Sequence, residues 1–116
     1  MIIALFQPDI PHNAGTLARL ARCLGLELHI IKPAGFTLDD KGFRRAGLDY
    51  LDEAAVKQHD DWSAFCSFCE NEKLRLVLMT TKAAQSYLDF QFSERDVLLF
   101  GRESSGAPDF VHEAAQ

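Results

Sequence analysis

Residues 2–31 read IIALFQPDIPHNAGTLARLARCLGLELHII, and this stretch decides the fold. Ile2 to Phe6 is a short continuous apolar run, β-branched at its start, which reads as a buried strand. Pro8 and Pro11 interrupt regular hydrogen bonding, so Gln7 to His12 reads as a loop. Asn13 suits the N-cap of a helix ending near Leu24, and Gly25 suits its stop. At about 100° per residue, Ala14, Leu17, Leu20, Ala21 and Leu24 share one helix face, with Arg19 almost opposite Leu17. Glu27 to Ile31 supplies a second strand. Strand, helix, strand at this spacing is a βαβ unit, so the two strands are expected to be parallel with a right-handed crossover.

The rest of the chain repeats the alternation. Asp39-Asp40 can cap a short helix over Lys41 to Ala46, with Gly47 at its end. Ala54 to Gln58 fits a short strand. Asp60 or Asp61 can cap a helix from Trp62 to about Asn71. Leu74 to Met79 and Val97 to Phe100 read as strands, and Pro108 as the first residue of a final short helix. Lys82 to Ser93 carries no clear pattern. The expectation is a single α/β domain spanning residues 1–116, with an open, mostly parallel sheet and flanking helices.

Composition narrows the function classes. The chain has 116 residues, of which 47% are hydrophobic and 25% charged, and a net charge of −5, so a uniformly basic nucleic-acid coat is excluded. The charge is uneven: Arg19, Arg22, Lys32, Lys41, Arg44 and Arg45 leave residues 1–45 net positive, while residues 46–116 are strongly acidic. The first part can face a polyanion. No run approaches a membrane span, and Met1 leads into Ile2-Ile3-Ala4-Leu5-Phe6 without the basic start of a secretory signal. Three cysteines suit a reducing compartment, so a cytoplasmic location is expected.

Ligands of open parallel sheets bind beyond the carboxyl ends of the strands. That rule selects Gln7–Asn13, Lys32–Asp40, Thr80–Ala84 and Gly101–Ala107, which hold most of the unusual residue choices. Gly101-Arg102-Glu103-Ser104-Ser105-Gly106 has two glycines around polar residues, which permits close approach of backbone amides to a ligand. It equally suits a plain strand-to-helix turn, and it matches neither dinucleotide nor P-loop fingerprints. Asn13 and Arg19 fit a cap and a solvated side chain as well as a site. Lys41, Arg44 and Arg45, with Phe43 and Tyr50, fit phosphate contact and base stacking, or simply a solvated helix face. Thr80-Thr81 ends a buried strand. Cys66-Ser67-Phe68-Cys69 is a single CxxC with no second pair, and His12, His29, His59 and His112 form no zinc pattern, so no metal is expected.

Taken in order, these residues resemble the SPOUT superfamily of RNA methyltransferases. Asn13-x-Gly15-x-x-x-Arg19 resembles its first motif and Phe100-Gly101-x-Glu103-x-x-Gly106 its second. Phe36-x-x-Asp39-Asp40-Lys41-x-x-Arg44-Arg45-Ala46-Gly47-Leu48-Asp49-Tyr50, with the opening Phe6-x-Pro8-x-Ile10-Pro11-x-Asn13, is similar to one branch, the tRNA (cytidine/uridine) 2′-O-ribose methyltransferases acting at the anticodon wobble position. The resemblance implies a deep-knot α/β fold, S-adenosylmethionine as methyl donor, a homodimer and methyl transfer to a ribose 2′-hydroxyl of the tRNA anticodon stem-loop. Carried over by position, it assigns Asn13 and Arg19 to the reacting ribose and makes Glu103 the second-motif acid, the three being the catalytic set. Met79, Thr80, Gly101 and Gly106 fall to the methyl donor, and Lys41, Arg44, Arg45 and Tyr50 to RNA.

The family's third motif, a strand and a Ser/Asn loop threaded into the knot, has no counterpart before Gln116. The expectation is therefore a SPOUT-like chain lacking its C-terminal knot segment, incapable of methyl transfer in this form. The alternative is a non-catalytic RNA-binding remnant, which would hold tRNA without the methyl donor. A generic nucleotide-binding domain is a third reading.

Overall fold

The structure is a computed structural model that describes residues 1–36, 41–46, 56–79, 93–101 and 107–114, with side chains for all of these except residues 44–46 and 112. Five strands form one sheet in the order β3-β2-β1-β5-β4. They are β1 (Ile2–Phe6), β2 (Glu27–Ile31), β3 (Val56–His59), β4 (Arg75–Met79) and β5 (Asp96–Phe100). Every pairing is parallel. The helices are α1 (Pro11–Leu24), α2 (Lys41–Ala46), α3 (Trp62–Asn71) and α4 (Asp109–Ala114).

Side-chain alternation along the strands builds two cores. Ile3, Leu5, Leu28, Ile30 and Val56 pack with Ala14, Ala18 and Ala21 of α1 and Phe43 of α2. Ile2, Ala4, Phe6, Ile31, Leu78, Val97 and Leu99 pack with Phe65 and Cys69 of α3 and Val111 of α4. With both faces covered, β1 has no need of alternation, which is why IIALF is apolar throughout and buried at every position. Each large side chain so buried contributes about 1.5–3 kcal/mol.

Helix α1 departs from the sequence reading in two ways. It begins at Pro11, with Ile10 as an N-cap that makes no side-chain cap bond. Asn13 is therefore inside the first turn and is not the cap, and the loop after β1 is shorter than expected. Proline at the first helical position has no N–H to satisfy and a φ already suited to the helix. The buried face is also rotated by roughly a quarter turn at about 100° per residue. Ala14, Gly15, Ala18 and Ala21 are buried, while Leu20 and Leu24 are 45% and 60% exposed. Phe43 and the strand side chains fill the space beneath α1, so only its small residues fit there. Gly25 closes the helix as expected, at φ +70°.

Elsewhere the boundaries move by a residue or two. β3 spans Val56–His59 where Ala54 to Gln58 was expected, β4 starts at Arg75 and β5 at Asp96. Asp61 is the cap of α3, accepting from the Ala64 N–H at 2.7 Å. Pro108 immediately precedes α4, its carbonyl accepting from Val111. The Asp39-Asp40 cap and the Gly47 stop lie outside the described residues.

The amino end of the sheet is fastened by one buried carboxylate. Asp96 accepts from Arg75 Nε and Nη2, both at 2.7 Å, and from the Ser93 N–H at 2.8 Å and hydroxyl at 3.1 Å. The Arg75 guanidinium holds the Asp96 carboxyl below its ordinary range, against the opposing effect of burial. Replacing Asp96 with alanine is expected to cost about 2 kcal/mol, because charge-assisted bonds are lost together. Thermal unfolding should shift down by about 10 °C; an unchanged midpoint would show that the network contributes nothing net.

Candidate functional site

Phe6, Ile31, Phe100 and Met79 end their strands nearly level. Phe6 is in register with Ile31, Leu5 with Phe100, and Met79 with Phe100. From β1 the chain moves outward to β2 and β3, whereas β5 is reached from the far edge strand β4. The connections thus diverge at the boundary of β1 and β5, which is where an open parallel sheet leaves a crevice beyond its carboxyl ends.

Two loops meet on the β1 side of that crevice. Gln7 leaves β1 with φ +44°, in the left-handed region that few non-glycine residues occupy. Its N–H donates to the Ile31 carbonyl at 2.9 Å, and the Gly35 N–H donates to the Pro8 carbonyl at 2.8 Å. The chain then enters α1, where Asn13 and Arg19 are both exposed. Helix α2 lies beside α1, with Phe43 buried under it and in ring contact with Phe36 at 5.1 Å. Lys41 is exposed at the start of α2. The small buried residues of α1 are what permit this close approach.

On the β5 side, Met79 and Gly101 stand at neighbouring strand ends, both half-buried. The structure thus brings Met79 beside Gly101, and the Asn13–Arg19 helix beside the helix of Lys41, Arg44 and Arg45. Thr80, Tyr50, Glu103 and Gly106 lie outside the described residues, as do the side chains of Arg44 and Arg45.

Sequence reasoning passed over two features here. Gly35 was only part of a turn-rich loop, yet a Cβ on it would lie 3.1 Å from Asp9 Cα. His29 and His59 were discounted for want of a zinc pattern, yet His29 Nδ1 and His59 Nε2 are 2.8 Å apart. The signal available was their positions on adjacent parallel strands, which becomes informative only once the register is known. Of the CxxC, Cys69 is buried against the core, and burial pushes its thiol up to about 12, while Cys66 is half-buried.

The fold has close counterparts among solved structures. The SpoU methyltransferase AviRb from Streptomyces viridochromogenes, in complex with AdoMet, superposes with a TM-score of 0.90 at 20% identity, over 100% of this chain and 48% of that one. A structure concerned with the 2′-OH methylation of C/U34 on tRNA superposes with a TM-score of 0.90 at 39% identity, over 97% of this chain and 74% of that one. The all-parallel sheet with its flanking helices is that of the SPOUT class of α/β methyltransferases.

Among curated proteins, a tRNA (cytidine(34)-2′-O)-methyltransferase of Ancylobacter novellus is 56% identical over 115 residues, covering 99% of this chain and 73% of the relative. A protein of the same name from Escherichia coli K12 is 43% identical over 112 residues, covering 97% and 70%. The SpoU rRNA Methylase family matches residues 1–116, and the chain belongs to that family.

Proposed function

We propose that the protein transfers a methyl group from S-adenosylmethionine to the ribose 2′-hydroxyl of the wobble nucleotide, cytidine or uridine 34, of tRNA. The observation that carries this reading is the 56% identity, over 99% of this chain and 73% of the relative, to a protein named for that reaction. The crevice fits such a donor in kind. Met79 offers a half-buried thioether and alkyl surface next to Gly101, whose lack of a side chain leaves the backbone approachable. Met79, Thr80, Gly101 and Gly106 are the residues assigned to hold the donor, which when bound supplies a methyl group on a positively charged sulfur.

The chain's own residues supply orientation and charge. Arg19 presents a planar fork of N–H donors, so it is assigned to orient the ribose and adjacent phosphate and to stabilise negative charge growing on the 2′-oxygen. Asn13, one turn and a half earlier on the same helix, and Glu103 complete the proposed ribose site. Lys41, Arg44, Arg45 and Tyr50 are assigned to the anticodon stem-loop, with the cations on phosphates and the ring on a base. Such binding should weaken with salt. The protein is placed in the cytoplasm with its tRNA; none of the described helices is long and apolar enough to cross a membrane.

Methyl transfer to tRNA is the test, measured on residues 1–116 and on the same chain extended by the C-terminal segment of the 56% identical relative. Alkali-resistant ribose methylation at position 34 by either form supports the reading. Transfer confined to the extended form meets the expectation drawn from the third motif, and methylation of a base by both would overturn the proposal.

We also place the protein as a homodimer. The apolar outer side of α1, where Leu20 and Leu24 are 45% and 60% exposed, is the surface assigned to the second copy. Leu24→Glu should move the sedimenting species from dimer to monomer; a monomer in the parent chain would remove this assignment.

A further inference from the structure

We infer that Gly35 is a positioning residue for the proposed reaction, setting the start of α1, and through it Asn13 and Arg19, by the backbone of Pro8 and Asp9. The inference rests on the methyltransferase reading for its link to turnover, and on geometry for the rest.

Helix α1 has no side-chain cap of its own: Ile10 makes no such bond. Its entry must therefore be held from outside. Backbone contacts of the preceding four residues contribute to this. Gln7 is turned to φ +44° and bonded to Ile31 of β2. Pro8 is buried, and its carbonyl receives the Gly35 N–H at 2.8 Å. A Cβ built on Gly35 would meet Asp9 Cα at 3.1 Å, and Asp9 Cβ and carbonyl oxygen at 3.4 Å each. Pro11 then begins the helix. The loop after β2 thus lies directly on the loop after β1, and glycine is what lets the two backbones touch.

Both loops are anchored on their far sides. Beyond Gly35, Phe36 makes a tilted ring contact with Phe43, which is buried beneath α1. A methyl group added at Gly35 can be relieved only by moving Asp9 or by moving the β2 loop away from Pro8. Moving Asp9 displaces Ile10, whose carbonyl accepts the Ala14 N–H at 3.1 Å in the first turn of α1. Asn13 lies in that turn, and Arg19 follows on the same rigid element. A Cβ at 3.1 Å requires Asp9 to give by a few tenths of an ångström; since about 1 Å of misplacement in an orienting group can cost up to a hundred-fold in rate, a loss nearer ten-fold is expected.

Gly35 does not occupy the positive-φ region, unlike Gly25. Alanine at position 35 is therefore tolerated by the backbone dihedrals, and Gly35→Ala tests space alone. Amide hydrogen exchange of the 116-residue chain gives a readout that needs no activity. Gly35→Ala should speed exchange of the Ala14 amide, which donates to Ile10 in the first turn of α1, at least five-fold, while β4 and β5 amides keep their parent rates. In the catalytically competent form, Gly35→Ala should lower kcat about ten-fold with KM for tRNA within two-fold. In an Arg19→Ala background the same substitution should cost little more, because its effect passes through α1.

Unchanged exchange of the Ala14 amide overturns the inference. So does additivity of Gly35→Ala with Arg19→Ala, which would mark a general loss of stability. If the parent protein methylates no tRNA, the methyltransferase reading fails, and the exchange experiment still decides whether Gly35 sets α1.

Discussion

Arg19→Ala is expected to lower methyl transfer about a hundred-fold to a thousand-fold, the range seen when a donor aimed at developing negative charge is removed. Affinity for tRNA falls far less, since several other cations are assigned to the phosphates. The expectation follows from where the charge grows. As the 2′-oxygen bonds to the methyl carbon, the donor's sulfur–methyl bond would break with its electron pair kept on sulfur while the hydroxyl proton passed to water, so the 2′-oxygen would go through a state more negative than the hydroxyl. A guanidinium held beside it favours that state over the ground state, which lowers the barrier and not merely KM. Arg19→Lys separates charge from shape. Lysine keeps the positive charge but loses the planar fork that can hold a ribose oxygen and a phosphate together. A drop of at least about ten-fold is expected for it. Single-turnover rates with saturating tRNA check both variants, and near-parent turnover by Arg19→Lys would remove the need for a forked donor.

The sequence made β1, β4 and β5 legible because they carry apolar side chains towards both faces and therefore read as unbroken apolar runs. IIALF, LVLM and VLLF need no partner to be recognised. The start of α1 was misread for a local reason: Asn13 is a good capping residue, but Pro11 starts the helix before it can act. Its buried face was misread for a tertiary one. Leucines at helical spacing suggested the core side, yet Phe43 and the strand side chains leave room only for Ala14, Gly15, Ala18 and Ala21. Motif residues such as Arg19 and Gly101 were legible through their spacing and family resemblance. Gly35 and the two histidines were not, because each acts through a residue distant in sequence, and periodicity carries no information about such pairs.

Acidification below pH about 6.5 should destabilise the fold through His29 and His59. His29 is fully buried on β2, and its Nδ1 lies 2.8 Å from Nε2 of His59 on β3. Its Nε2 faces Glu27 at 3.3 Å, and Glu27 pairs with Lys57 at 3.1 Å. Phe68 packs on both rings and Phe65 on His59. With neutral rings one arrangement satisfies every group: His59 Nε2–H donates to His29 Nδ1, and His29 Nε2–H donates to Glu27. Burial pushes both histidines below their ordinary 6.5. Glu27 opposes this at His29, and at His59 Lys57 adds to it while Asp60 opposes it. The unfolded chain therefore binds protons that the folded one refuses. Stability is full above the ordinary value and falls as pH drops beneath it, by up to about 1.4 kcal/mol per pH unit for each ring. The loss begins at the edge strand, where the His59 carbonyl also holds the Lys32 N–H at 2.9 Å. Urea midpoints measured between pH 7.5 and 5.5 should slope downward in the parent chain. In a His29→Leu/His59→Leu variant, where both partners are apolar and Glu27 keeps Lys57, the slope should be nearly flat. Equal slopes in the two proteins would assign the acid sensitivity elsewhere, and a parent chain that gains stability in acid would reverse the sign of the linkage.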